Sequence, residues 1–227
     1  MYARIRKEEL EMGIETENGM LRDLTQEDLV RLGLDRKGKW QYTVADIEAL
    51  PEGVHTELID GEIFVRMTTP ETIHQDILAG LFFQIEAYIQ RKQGKCRVFF
   101  APFGVRPKKD IYNYVEPDIT LICDDEQLED RGSFGAPDFV IEVVSPSNRK
   151  HDYVRKLALY HEAGVREYWI VDPKYEQVTV YDWEKSDSPT LYPFSERIKV
   201  GVYDDLYLDL ANRHGTLEEV LSEERQG

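Results

Sequence analysis

One six-residue run limits the fold more than any other part of the chain: Phe139-Val140-Ile141-Glu142-Val143-Val144. It is too short and too β-branched for a buried helix, and it does not alternate, so it predicts a strand covered on both faces. Two more runs behave in the same way: Asp118 to Cys123, mostly apolar after its first residue, and Glu167 to Val171. A sheet buried on both sides needs helices as its cover, and the chain supplies two. From about Ile73 to Arg91, the residues Ile77, Leu78, Leu81, Phe82, Ile85, Tyr88 and Ile89 recur at three- and four-residue spacing, with Gly94 as the stop. A second helix is expected from about Asp152 to Ala163, ended by Gly164. The order predicts a mixed α/β fold with a central sheet flanked by helices.

The remaining segments extend this plan. Asp60-Gly61 lies between two short apolar runs, from Thr56 to Val65, and predicts a hairpin. A short helix is expected from Thr43 to Leu50. A strand is expected at Arg97–Phe100, continuing after a break at Gly104–Arg106, and Val178–Trp183, Arg197–Val200 and Tyr207–Leu210 are expected to complete the sheet. Residues 1–40 mix charge runs with one amphipathic stretch, Thr25 to Gly33, and read as an arm or helical extension. The compact domain is expected at 41–215, and 216–227 form an acidic tail. At 227 residues, one sizeable domain with an appended arm is the natural division.

The net charge of −16 bears on function. Proteins that coat a phosphate backbone draw on lysine and arginine displacing counterions, so a general charge-driven coat is excluded. No apolar stretch suits a signal peptide or a membrane helix, and no membrane partner is expected. Cys96 and Cys123 do not make a disulfide framework and read as reduced thiols of a cytoplasmic protein. The five histidines are too scattered for a zinc triad.

Two acids stand where a plain core would not place them. Asp118 opens an apolar strand, and Glu142 is flanked on both sides by aliphatic residues. An ionised carboxylate in a buried strand is costly unless it is paired or binds a metal. Two of them together repel unless a cation neutralises them, and paired carboxylates with waters are the usual way to hold Mg²⁺. The structural alternative is a Glu142 at a sheet edge or paired with an arginine such as Arg166. Pro137-Asp138 reads as an acid that merely begins a strand. Lys156 follows on the next helix, with Asp152 four residues before it on one face. That pair reads either as a solvated ion pair or as a cation placed beside a metal site.

Several segments together resemble the Uma-two family. They are Glu57-Leu58-Ile59-Asp60-Gly61-Glu62, then His74, Pro117-Asp118-Ile119 and Glu142-Val143-Val144-Ser145-Pro146-Ser147. Asp152-Tyr153-Val154-Arg155-Lys156, Tyr160 and the run Gly164 to Pro173 follow in order. The resemblance spans about residues 43 to 183. That family is grouped with restriction endonucleases of the PD-(D/E)XK type, which implies a restriction-endonuclease-like fold. It also implies Asp118 and Glu142 as metal-binding acids and Glu57 as an additional acid. Val144 stands where the usual signature has its lysine, and the resemblance carries that role to Lys156. His74 and Asp152 match positions with supporting roles.

The expected function is metal-dependent endonuclease hydrolysis of nucleic acid, with DNA as the expected substrate. Mg²⁺, replaceable by Mn²⁺, would sit on Asp118 and Glu142, or on these with Glu57. Arg106, Lys108, Lys109, Arg149, Lys150 and Arg155 are candidate phosphate contacts, or solvated loop charges. A homodimer is an expectation for cutting both strands of a duplex. Two rival readings stay open: a catalytically silent module binding nucleic acid or a protein partner, and a metal enzyme acting on a phosphorylated small molecule.

Overall fold

The two faces of the Phe139–Val144 run separate into two cores in the computed structural model, which describes residues 41–50, 54–65, 70–145 and 149–213. Phe139, Ile141 and Val143 join one apolar cluster, while Val140 and Val144 join the other. That division follows from the two-residue period of a strand. The expectations for the 1–40 arm and the 216–227 tail lie outside the described residues.

The elements in chain order are α1 (Val44–Glu48), β1 (Thr56–Ile59), β2 (Glu62–Val65), α2 (Thr72–Lys92), β3 (Arg97–Phe100), β4 (Val105–Arg106) and β5 (Ile119–Ile122). There follow β6 (Leu128–Glu129), β7 (Gly132–Phe134), β8 (Phe139–Val143), a π-helical turn (His151–Lys156) and α3 (Leu157–Ala163). The chain then forms β9 (Glu167–Asp172), β10 (Gln177–Asp182), β11 (Thr190–Pro193), β12 (Arg197–Lys199) and β13 (Tyr207–Asp209). The central sheet has six strands in the order β11-β10-β9-β8-β5-β3. Only β8 and β9 run parallel; every other neighbouring pair in it is antiparallel. The architecture is the expected mixed α/β sheet flanked by helices.

On one face α2 lays down Ile77, Leu81, Ile85, Tyr88 and Ile89 against Ile119, Leu121, Ile141 and Trp169. Gly80 lies under Arg213, whose carbonyl oxygen would stand 2.5 Å from a Cβ there, so only glycine admits that close approach. The other face holds Leu159 and Tyr160 of α3 against Val140, Tyr168 and Ile170. The hairpin β1–β2 turns at Asp60 and Gly61, both at positive φ, as a two-residue turn between antiparallel strands requires. It packs Leu58 and Ile63 with Tyr42 and Val44 as a third cluster. Thr43 caps α1 with a capping box to Asp46.

Four expectations need correction. β4 does not continue β3: it pairs with β7 in a separate three-stranded sheet, β4-β7-β6. β12 and β13 form their own hairpin rather than completing the central sheet, whose edge is β11 instead. The left-handed residue that ends α2 is Gln93, not Gly94. Cys96 and Cys123 are not reduced thiols but a disulfide. The reason is register: Arg97 faces Ile122 in the antiparallel β3–β5 pair, so the residues one step outward, 96 and 123, face each other.

Candidate functional site

Register also brings the two anomalous acids together. Ile119 faces Ile141 across the β5–β8 pair, so one step back Asp118 stands opposite Glu142. Opposed residues in antiparallel strands share a face, with Cβ atoms about 4.5–5.5 Å apart. The Val143 amide donates to Asp118 Oδ2 at 2.8 Å and fixes that carboxylate at the strand end. Glu142 lies in an interior strand, not at an edge, and Arg166 pairs with Asp138 at 2.9 Å rather than with it. Asp138 also accepts from the Cys123 amide and keeps a structural role.

The cation beside Glu142 is Lys156. Its ammonium lies 2.8 Å from Glu142 Oε1 and 2.8 Å from Glu57 Oε1, with Asp152 Oδ1 at 3.9 Å. Tyr160 donates its hydroxyl to Glu142 Oε1 at 2.8 Å. Glu57 Oε2 takes His151 Nε2 at 2.8 Å. Lys156 is 1% exposed, and Glu57, Asp118, Glu142 and Asp152 are 4% exposed or less. This is a buried network, so the reading of Lys156 and Asp152 as a solvated ion pair does not hold.

The helix after β8 explains how His151 and Lys156 meet the same carboxylate. Residues five apart stand about 140° around an α-helix. The His151–Lys156 turn is π-helical, and its wider i→i+5 bonding brings the two back to one side. Asp152 is anchored in the same turn, its carbonyl accepting from the Tyr168 hydroxyl at 3.1 Å.

Burial dominates the electrostatics. It pushes the Glu142 carboxyl up to about 7; Lys156 opposes this, while Asp118 and Glu57 add to it. Burial also holds Asp152 well above the usual carboxylate range. The Tyr160 and Tyr168 hydroxyls are held protonated by burial and by the neighbouring acids. Burial lowers the His151 imidazole, against the pull of Glu57. A neutral ring bonded to a carboxylate through Nε2 carries its proton there.

Three buried carboxylates, Glu57, Glu142 and Asp152, thus surround Lys156, and Asp118 stands opposite Glu142; the crowding that raises these carboxyls is what a divalent cation would relieve. Among the described residues no three His, Cys, Asp or Glu side chains stand together as a metal cage. Mg²⁺ is usually held by one or two carboxylates, with waters and substrate phosphate completing its shell. The fitting donors are Asp118 and Glu142, because both Glu57 oxygens already carry the Lys156 and His151 contacts.

Asp118 also forms the polar end of a pocket of about 500 Å³ between α2 and the segment after β3. Leu78, Phe82, Phe100 and Pro102 supply its apolar wall. At its mouth His74 Nε2 meets Asp118 Oδ2 at 3.2 Å, and His55 Nδ1 meets Glu116 Oε2 at 3.2 Å. Of the predicted residues, Glu57, Glu142, Asp152 and Lys156 form one network, and Asp118 joins it opposite Glu142 and brings in His74. His151 and the hydroxyl of Tyr160 were not assigned a role from the sequence. A π-turn spacing has no α-helical signature, although the His151-Asp152 pair ahead of Lys156 is its trace. Of the candidate phosphate contacts, Arg106 pairs with Glu129, Lys108 with Glu162 and Asp60, and Arg149 with Asp172.

The model of the family described as "Uma2: Putative restriction endonuclease" matches residues 44–205. Among solved structures, the chain is similar to "a putative nuclease belonging to DUF820 from Anabaena variabilis ATCC 29413", at 20% identity and a TM-score of 0.57. That match covers 79% of this chain and 97% of the other. No curated protein matches it significantly.

Proposed function

Since the chain belongs to the Uma2 family of restriction-endonuclease-like proteins, we propose that it is a Mg²⁺-dependent endonuclease that hydrolyses phosphodiester bonds in DNA. The observation that carries this reading is Asp118 standing opposite Glu142 in the sheet, with Lys156 seated on Glu142. Asp118 and Glu142 are the residues to hold the ion, which when bound polarises a phosphate oxygen and lowers the pKa of a water.

The chain's own groups prepare that task. The Val143 amide aims the Asp118 carboxylate. Tyr160 and Lys156 fix Glu142 Oε1, and Glu57 holds Lys156 from the far side. Burial of Lys156 excludes bulk water from its charge, which strengthens its pull on a nearby anion. Lys156 is thereby set to orient an attacking water or to offset charge that develops on the phosphate. His74 and Asp152 position Asp118 and Lys156 respectively. On this reading the protein works in the cytoplasm, a reducing compartment in which the Cys96–Cys123 bond is open to reduction. Cutting both strands would call for a symmetric pair of sites, hence a homodimer.

The test is cleavage of single- and double-stranded DNA in Mg²⁺ or Mn²⁺, beside Glu142→Gln. The expected result is metal-dependent cleavage that falls by on the order of a hundred-fold or more in the variant. A wild type that binds neither metal nor cuts would hand the lead to the second reading, a silent nuclease-fold module for nucleic acid or a protein partner. The protein-partner form of that reading is favoured by the charge of −16 and by the ion pairs that occupy Arg106, Lys108 and Arg149.

A further inference from the structure

The pocket beside Asp118 has a composition that the cleavage chemistry alone does not call for. At about 500 Å³ it falls within the size range of small-molecule sites, roughly 300–1,000 Å³. It adjoins the acidic site through Asp118, which belongs to both. Its wall is apolar and aromatic, and among the described residues no lysine or arginine lines it. Its polar groups are two histidines, each against a carboxylate, and the amide of Gln75. A pocket so furnished repels a phosphate and suits a flat, neutral, partly apolar group whose edge carries hydrogen-bond donors and acceptors.

Phe100 supplies the surface for such a group. It ends the edge strand β3 and is 53% exposed. Phe82 meets it edge to face, with ring centroids 4.9 Å apart and planes at 89°. Perpendicular rings hold each other in place and form a corner against which a planar ligand can lie.

Resting on the nuclease reading above, we infer that this pocket takes one unpaired nucleobase next to the phosphate held at Asp118 and Glu142. Phe100 is its stacking platform, and Gln75 and His55 face its edge. A base within a duplex cannot reach such a pocket without leaving its stack. Single-stranded or locally melted DNA is therefore the preferred substrate, and the base is held for its aromatic face more than for its sequence, since stacking is tolerant of base identity.

The test is equilibrium binding by fluorescence anisotropy in Ca²⁺, with three labelled probes of equal length: a thymidine strand, the same strand with abasic tetrahydrofuran sites throughout, and a duplex. The wild type is expected to bind the thymidine strand roughly ten-fold more tightly than the abasic strand, and more tightly than the duplex. Phe100→Ala, a change at an exposed edge position, is expected to bind thymidine and abasic strands alike. So is Leu78→Trp, which fills the pocket; circular dichroism verifies its fold. Equal wild-type affinity for thymidine and abasic strands, preference for the duplex, retained discrimination in Phe100→Ala, or no binding of any probe would each overturn the inference. Hydrolysis of bis(p-nitrophenyl) phosphate by the wild type in Mn²⁺, with Glu142→Gln as control, reads the metal chemistry on its own. The nuclease reading thus stands or falls separately from the pocket.

Discussion

Glu167 sits in β9, 1% exposed, and accepts from Trp169 Nε1 at 2.6 Å and from the Val202 amide at 3.0 Å. Burial pushes its carboxyl up to about 7, against those hydrogen bonds and with help from Asp182, the residue facing it on β10. Because the folded chain binds this proton more tightly than the unfolded chain, stability falls as pH rises from the ordinary carboxylate value near 4.5 to about 7. Glu142 acts in the same direction over the same window. Glu167→Gln, which keeps an oxygen for Trp169, is expected to remove a share of that slope worth up to about 3 kcal/mol between pH 4.5 and 7.5. Urea unfolding at a series of pH values measures it, and an unchanged slope would refute it. At this scale the site was legible where a residue broke its local pattern. Asp118 and Glu142 stood out because ionised groups are anomalous in apolar strands, and Lys156 with Asp152 because four-residue spacing is a helical signal. His151 did not stand out, since five residues apart is no α-helical relation. Glu167 opens its strand, and its burial depends on the Val202 turn, which no local pattern announces.

Among the elements, β3 and β5 carry the correction with the widest reach. Apolar runs announced both strands, and even the α2 stripe that covers them, but pairing register is a property of two segments and is written in neither. From the β3–β5 register follows the disulfide at one end of β5, and from the β5–β8 register the placement of Asp118 opposite Glu142 at the other. The bond closes a segment with a sequence separation of 27, which in the chain-entropy account is worth about 3–4 kcal/mol. Cys96→Ser and dithiothreitol are each expected to lower the unfolding free energy by about that amount, with no further effect of dithiothreitol on the variant. A smaller effect in urea titrations would mean that the unfolded chain is already constrained. β12 and β13 were misplaced, and β11 not expected at all, for the same reason: short segments of similar composition give no sign of whether they join a sheet or pair only with each other.

For the whole molecule, the charge of −16 and the proposed nucleic-acid substrate bear on where the cations are spent. Arg106, Lys108 and Arg149 are held by carboxylates, which lowers what these three contribute to displacing counterions. The logarithm of DNA affinity against the logarithm of KCl concentration, measured in Ca²⁺, is expected to have a slope no steeper than about −3, equivalent to about three phosphates neutralised. A slope near that of a basic DNA-binding protein would contradict this. Glu57 gives the assembly a further property. It belongs to the β1–β2 hairpin, outside the six-stranded sheet, yet it holds Lys156 and His151 from the helix beyond β8. The hairpin is therefore fastened to the sheet partly through the charges at the site. Free-energy linkage is reciprocal: a ligand that draws Lys156 away from Glu57 must loosen the hairpin's hold, and whatever presses the hairpin home must retune the lysine. The fastening that keeps two parts of the fold together is thus also a gauge of what the site has bound.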